Sequence, residues 1–420
     1  MPILKMLKTK GDFIHPLYGR YSVAEIGPTI LRLFGLKTKR SGLPFLKDQI
    51  GQYRQVILVL ADGFGYNHFQ QYRKIFPFLK QLAAAGKVYP LTSVFPSTTG
   101  AALTAVHTGL SPQEHGIPEW TVYFEELDAV IETLPFRPVK TDGLDTMLKA
   151  GGKPQMLFSG RTLYQQLKAG GVKSFVFTPQ AYAHSVYSRL TQRGSQLVTF
   201  RTARELCQKL RATLKRTKGR AYFFVYWPEI DSAEHRFGPG SPEHKKALGQ
   251  FFSTLQKELV KKIDVKVFSD TLLILSSDHG QVKVNPKKTI YLNHYPQILN
   301  HLAKTKSGQL IPPTGSPRDV FLHVQPAKIK QTVSRLKKLL GNKAKVVLTA
   351  DLIKQGWFGL NQMTPQFKRR IGNIMILARQ NYLVWYIHVP GKPFVHQGIH
   401  GGATKKEMLV PLAFLPLSKF

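Results

Sequence analysis

The chain has 420 residues, 43% hydrophobic and 11% aromatic, which excludes a disordered protein and allows a sizeable core. Its 60 Lys and Arg outnumber 24 Asp and Glu, for a net charge of +36. A lone cysteine, Cys207, excludes an intrachain disulfide framework, and no apolar run reaches the ~18 residues of a membrane-spanning helix.

The basic residues recur at 5–10, 37–40, 209–220, 283–288 and 328–345, so the positive field is spread over the surface. Such a field draws anions. No aromatic-interleaved basic stretch accompanies it, so specific nucleic-acid recognition is not expected, and a solvated basic surface is the commoner explanation. Residues 1–8 lack the apolar core of a signal peptide, so the expected location is the cytoplasm.

In chain order, residues 1–53 read as an irregular N-terminal extension. Residues 56–61, Val-Ile-Leu-Val-Leu-Ala, form a continuous apolar run and predict a buried strand of a parallel sheet. A helix is expected over 67–85, stopped by Gly86, and another over 99–108, ended by Gly109. Then come a helix at 163–168, a strand at 174–177, a basic helix at 203–218 and a strand at 221–226. A capped helix at 241–260 and a strand at 271–276 follow. This alternation predicts a three-layer α/β/α core formed by residues 54–310 and 390–420. Residues 311–389 read as an inserted α+β cap, with strands at 319–324, 345–348 and 383–388 and basic helices between them.

Asp62 follows the first buried strand, Glu229 and Asp231 follow the strand at 221–226, and Asp278 follows the strand at 271–276. In open α/β sheets, ligands bind beyond the carboxyl ends of strands, so these acids converge on one edge. Asp62 alone is as readily a cap on a strand-to-helix turn. Asp231 and His235 share a helical face and can hold one cation, although a local Asp–His hydrogen bond is as common. Asp278 and His279 directly after a buried strand are costly unless partnered, which a metal would satisfy. Ser97, Thr98 and Thr99 open a helix, where a hydroxyl can cap the end or, beside a cation, become a nucleophile. Of His396 and His400, one is a candidate ligand and the other a phosphate contact or surface residue.

The ordered set of Asp62, the Thr98-Thr99 segment, Asp231-x-x-x-His235, Asp278-His279-Gly280 and His400-Gly401-Gly402 resembles the alkaline phosphatase superfamily. Within it, the set resembles the type I phosphodiesterase / nucleotide pyrophosphatase family. That resemblance implies an alkaline-phosphatase-like fold and two divalent metal ions, zinc in the first place and manganese in the second. One ion would be held by Asp231, His235 and His400, the other by Asp62, Asp278, His279 and the nucleophile. Family members often place their threonine just before Phe-Pro-Asn, where this chain has Val94 before Phe95-Pro96-Ser97. Counting back from Thr108-Gly109 selects Thr99, with Thr98 the alternative. The family's substrate-binding Asn has no match here, so no substrate-binding residue is assigned.

The implied activity is hydrolysis of phosphate esters, as a phosphodiesterase or nucleotide pyrophosphatase, through a phospho-threonine. Its substrate would be a small phosphorylated or nucleotide-like anion. Phosphomonoesterase, phosphonate hydrolase and phosphomutase are rivals within the superfamily. A polyanion-binding protein without catalysis is the rival from outside it.

Overall fold

The computed structural model of the protein describes residues 9–10, 12–85, 87–263 and 269–420. A central sheet of seven strands has the spatial order Val88–Thr92, Leu409–Pro416, Thr271–Ser276, Gln55–Ala61, Ala221–Trp227, Lys173–Pro179, Gln196–Phe200. The five strands from Thr271–Ser276 to Gln196–Phe200 are parallel. Leu409–Pro416 runs antiparallel to both its neighbours.

The run at 56–61 shows no polar alternation because both of its faces are buried. Ile57, Val59 and Ala61 point into one core, and Val56, Leu58 and Leu60 into the other. The first core is covered by helices that contribute Phe69, Leu79, Leu206 and Leu248. The second is covered by helices that contribute Ile30, Ala101 and Leu163. The expected three-layer core is therefore present.

Three elements differ from expectation. Before residue 54, the helix Ile26–Leu33 buries Ile26, Ile30 and Leu33 against the second core. These residues lie on one helical face, and Pro28 sits in the first turn, where its missing amide costs nothing. The helix expected over 67–85 is two helices, Tyr66–Tyr72 and Pro77–Ala84. Pro77 cannot donate to the preceding turn and holds Phe76 extended, at φ −93° and ψ 124°. Gly86, the expected stop, lies outside the described residues. The helix expected over 241–260 ends as Pro242–Thr254 and continues as a wider turn, Leu255–Leu259.

A second seven-stranded sheet has the order Ala344–Leu348, Ile374–Ala378, Asp319–Leu322, Thr314–Ser316, Thr121–Phe124, Ala129–Glu132, Arg137–Pro138. All its pairings are antiparallel. Three of its strands come from 121–138, a stretch that the expected boundaries assign to the core. The expected strand at 383–388 shrinks to Val384–Trp385, which pairs with Ile290–Tyr291. Among the described residues, no helix is long and apolar enough to cross a membrane.

Candidate metal centre

The parallel strands deliver their acids to one edge. Asp62 follows Ala61 directly, and Asp278 lies two residues beyond Ser276. Asp231 and His235 lie in the short helix Glu229–Phe237, one turn apart. Gly63, at φ +74°, lets two ligand segments approach each other. A Cβ there would meet the Asp231 Cα and Cβ at 3.0 Å. His400 arrives on the loop before the last core strand. Its Nδ1 donates to the Ser97 carbonyl at 3.1 Å, tying it to the loop that leads into the helix Thr99–Thr108.

Two donor clusters result. In the first, His279 Nε2 lies 3.4 Å from Asp62 Oδ1 and 3.4 Å from Asp278 Oδ2. Thr99 Oγ1 lies 3.0 Å from the same nitrogen. In the second, Asp231 Oδ2 is 3.4 Å from His235 Nε2, and Asp231 Oδ1 is 3.8 Å from His400 Nε2. The His279 and His400 rings stack with centroids 3.6 Å apart, so the clusters are adjacent.

Both clusters fit divalent cations. His235 Nδ1 donates to the Gly398 carbonyl, His279 Nδ1 to that of Gly280 and His400 Nδ1 to that of Ser97. Each Nε2 lone pair is therefore free to face the cluster, the arrangement seen for metal-ligating imidazoles. Asp62 Oδ1 and Asp278 Oδ2 are buried without a hydrogen-bond partner. Oxygens in that state are expensive unless a cation or proton meets them. Burial, then the neighbouring carboxylates of Asp278 and Asp231, push the Asp62 carboxyl well above the usual range. Burial also lifts Asp231 to about 6 and lowers His235 to about 4. Burial and the neighbouring His279 and His235 also hold His400 well below the usual imidazole range, so His235 and His400 are neutral at ordinary pH, as ligation requires.

The structure separates the two candidate hydroxyls. Thr99 faces His279, whereas Thr98 is the helix N-cap residue and lines the larger cavity beside the buried Glu119. His396 is exposed, and its ring centroid lies 4.9 Å from that of His235, outside both clusters. Glu229 is exposed and takes no part.

Sequence reasoning missed two neutral donors. The Tyr226 hydroxyl donates to Asp62 Oδ2, and Gln281 Nε2 donates to Asp231 Oδ1. The signal for Tyr226 was a polar tip near the end of an apolar strand; for Gln281, it was an amide two residues beyond a ligand pair. Two cavities flank the centre, and both reach Thr99 and Asp231. One, about 220 Å³, is lined by Trp120, Tyr182 and Tyr226 among others. The other, about 570 Å³, is more polar and includes Glu119, Arg137, Lys140 and His388.

The fold is a three-layer α/β core that brings two adjacent Asp/His clusters and a hydroxyl together at the carboxyl edge of its sheet. The model of the type I phosphodiesterase / nucleotide pyrophosphatase family matches residues 56–402, and the chain belongs to that family. It is 24% identical over 243 residues to human ectonucleotide pyrophosphatase/phosphodiesterase family member 1, covering 57% of this chain and 25% of the human protein. It is 24% identical over 304 residues to the venom phosphodiesterase CdcPDE of Crotalus durissus collilineatus, covering 71% of this chain and 34% of that one. The chain thus spans about a quarter to a third of the length of these relatives. The solved structure of murine ectonucleotide pyrophosphatase / phosphodiesterase 5 superposes with a TM-score of 0.62 at 17% identity, covering 85% of this chain and 87% of the murine one. An inactive variant of the murine protein in complex with AMP superposes with a TM-score of 0.60 at 17% identity, covering 86% of this chain and 87% of that one.

Proposed function

We propose that the protein is a metal-dependent phosphodiesterase or nucleotide pyrophosphatase that works through a phospho-threonine on Thr99. The observation that carries this reading is the 3.0 Å approach of Thr99 Oγ1 to His279 Nε2, inside the Asp62–Asp278–His279 cluster. Asp62, Asp278 and His279 would hold one divalent cation beside the hydroxyl, and Asp231, His235 and His400 the other. The mixed Asp/His donor set suits zinc, with manganese second. When bound, such cations acidify a hydroxyl or water and neutralise charge on the phosphoryl oxygens.

The remaining work falls to the chain. Thr99 opens a helix, so its hydroxyl stands where first-turn amides and the dipole favour an anionic phosphoryl group. The Thr99 oxygen attacks phosphorus and gives up its proton to solvent. The bond to the departing oxygen breaks, and that oxygen takes a proton from water. Water then attacks the phospho-threonine, breaking the phosphorus–oxygen bond and restoring the hydroxyl. The paired cavities favour a diester over a monoester, because each arm of the substrate has its own recess. The aromatic recess beside Trp120 and Tyr182 suits a planar base, which supports a nucleotide-like substrate.

The test is hydrolysis of bis(p-nitrophenyl) phosphate and of nucleotide diesters with added zinc or manganese. Thr99→Ala should lower turnover by about a thousandfold or more while bound metal stays at two ions per chain. Thr98→Ala should keep most of the activity. The reverse pattern would move the nucleophile by one residue. Full activity in both would end the phospho-threonine reading.

A further inference from the structure

Behind the metal centre lies a third cluster that the proposed chemistry does not use: His68, Glu234 and His244, all buried. Glu234 Oε1 lies 3.1 Å from His68 Nδ1 and 3.0 Å from His244 Nε2, and the two rings have centroids 4.7 Å apart. Glu234 Oε1 and Oε2, His68 Nδ1 and His244 Nε2 are all buried without a well-aligned hydrogen bond, so these approaches are close polar contacts. By composition this is a third cation site; the ring nitrogens say otherwise. In His235, His279 and His400, Nδ1 faces a carbonyl oxygen and leaves Nε2 free. In His244, Nδ1 accepts the Gly240 amide at 3.1 Å. The ring proton of neutral His244 therefore sits on Nε2, the atom that faces Glu234, and a protonated nitrogen has no lone pair for a metal. The cluster is a carboxylate held between two imidazoles.

Its placement gives it a task. Glu234 stands between Asp231 and His235 on their helix. His244 belongs to the next helix, Pro242–Thr254, and His68 to the helix Tyr66–Tyr72 that follows the Asp62–Gly63 turn. Glu234 Oε2 lies against Gly63 itself, 3.1 Å from where a Cβ would be. One buried side chain thus touches the Asp62–Gly63 turn and the two helices packed beside the Asp231–His235 helix.

We infer that Glu234 is a positioning residue: its contacts with His68 and His244 lock the Asp231–His235 helix against the Asp62–Gly63 turn and so fix the spacing of the two cation positions. This rests on the two-cation reading above.

The test is calorimetric titration of zinc into the metal-stripped protein, with thermal melting of the same samples. The unaltered chain should take up two ions. Glu234→Gln should weaken one of the two binding steps by about 10–100-fold, the range for residues that orient ligands, with turnover recovering at high zinc. His68→Gln, which leaves the carboxylate in place, should give a smaller shift of the same step. Leu248→Ala, on the His244 helix and fully buried, should lower the melting temperature without moving either binding step. The inference is overturned if Glu234→Gln binds zinc as the unaltered chain does, or if Leu248→Ala shifts binding equally. A third ion, lost in Glu234→Gln, would also overturn it and make the cluster a metal site. Absence of zinc binding in the unaltered chain would remove the two-cation reading itself.

Discussion

At the scale of single residues, the centre depends on neutral groups as much as on charged ones. Tyr226 and Gln281 each hold a carboxylate oxygen that does not face the imidazole cluster alone. Tyr226→Phe should therefore leave the fold intact and weaken metal binding by about tenfold, measured by competition with a chelating dye. The acids also set a pH dependence. In the metal-free site Asp231 titrates at about 6, and Asp62 lies well above its ordinary range, so both bind protons more tightly than free carboxyls do. A cation must displace those protons, whereas His235, lowered to about 4, is already neutral. Zinc affinity should fall as pH drops through about 6, and calorimetry in two buffers should detect more protons released at pH 5.5 than at pH 8. Asp62, Asp231, His235, Asp278 and His279 could be read from the chain as candidates, because each sits beside a strand end or turn that the hydrophobic pattern marks, whereas the choice of Thr99 over Thr98 and of His400 over His396 came from the family resemblance. Tyr226, Gln281 and Glu234 could not, since their role comes from what they touch across distant segments.

At the scale of elements, one glycine carries more of the site than its size suggests. Gly401, at φ +114°, follows His400 and lies against the second sheet. A Cβ there would stand 2.5 Å from both Asp319 Oδ1 and Ser316 Oγ. Gly401→Ala should cost roughly 1–3 kcal/mol from the backbone conformation alone, plus the steric clash. Because His400 is its neighbour, the substitution should also reduce zinc occupancy, which metal analysis after dialysis would reveal. The elements that hydrophobic patterning found were those buried on both faces, such as Gln55–Ala61 and Thr271–Ser276. Those it missed were short strands of the second sheet, such as Thr121–Phe124, which pairs with the nearby Ala129–Glu132 and, through Thr121, with Gly315. Four residues are the shortest run in which alternation can be read, so the pattern gives such a strand little signal.

At the scale of the whole molecule, the net charge of +36 surrounds a centre whose two cavities open to solvent. A field of that sign should speed the approach of a phosphate-bearing substrate and be screened by salt. For an anionic diester, kcat/KM should fall about tenfold between ~20 mM and ~500 mM salt while kcat changes little. A neutral ester measured in parallel should show no such slope. If both substrates respond alike, the charge has no role in capture.

The order of the central sheet has a consequence in time. Leu409–Pro416 lies inside the sheet, between Val88–Thr92 and Thr271–Ser276, and among the described residues it is the strand that links Val88–Thr92 to the rest of the sheet. Val88–Thr92 can therefore join the sheet only after Leu409–Pro416, far along the chain, has paired with Thr271–Ser276. His400 is delivered on the approach to that late strand. The pairing that completes the sheet thus also brings His400 to within 3.8 Å of Asp231, so closing the sheet and assembling the second cluster are one event.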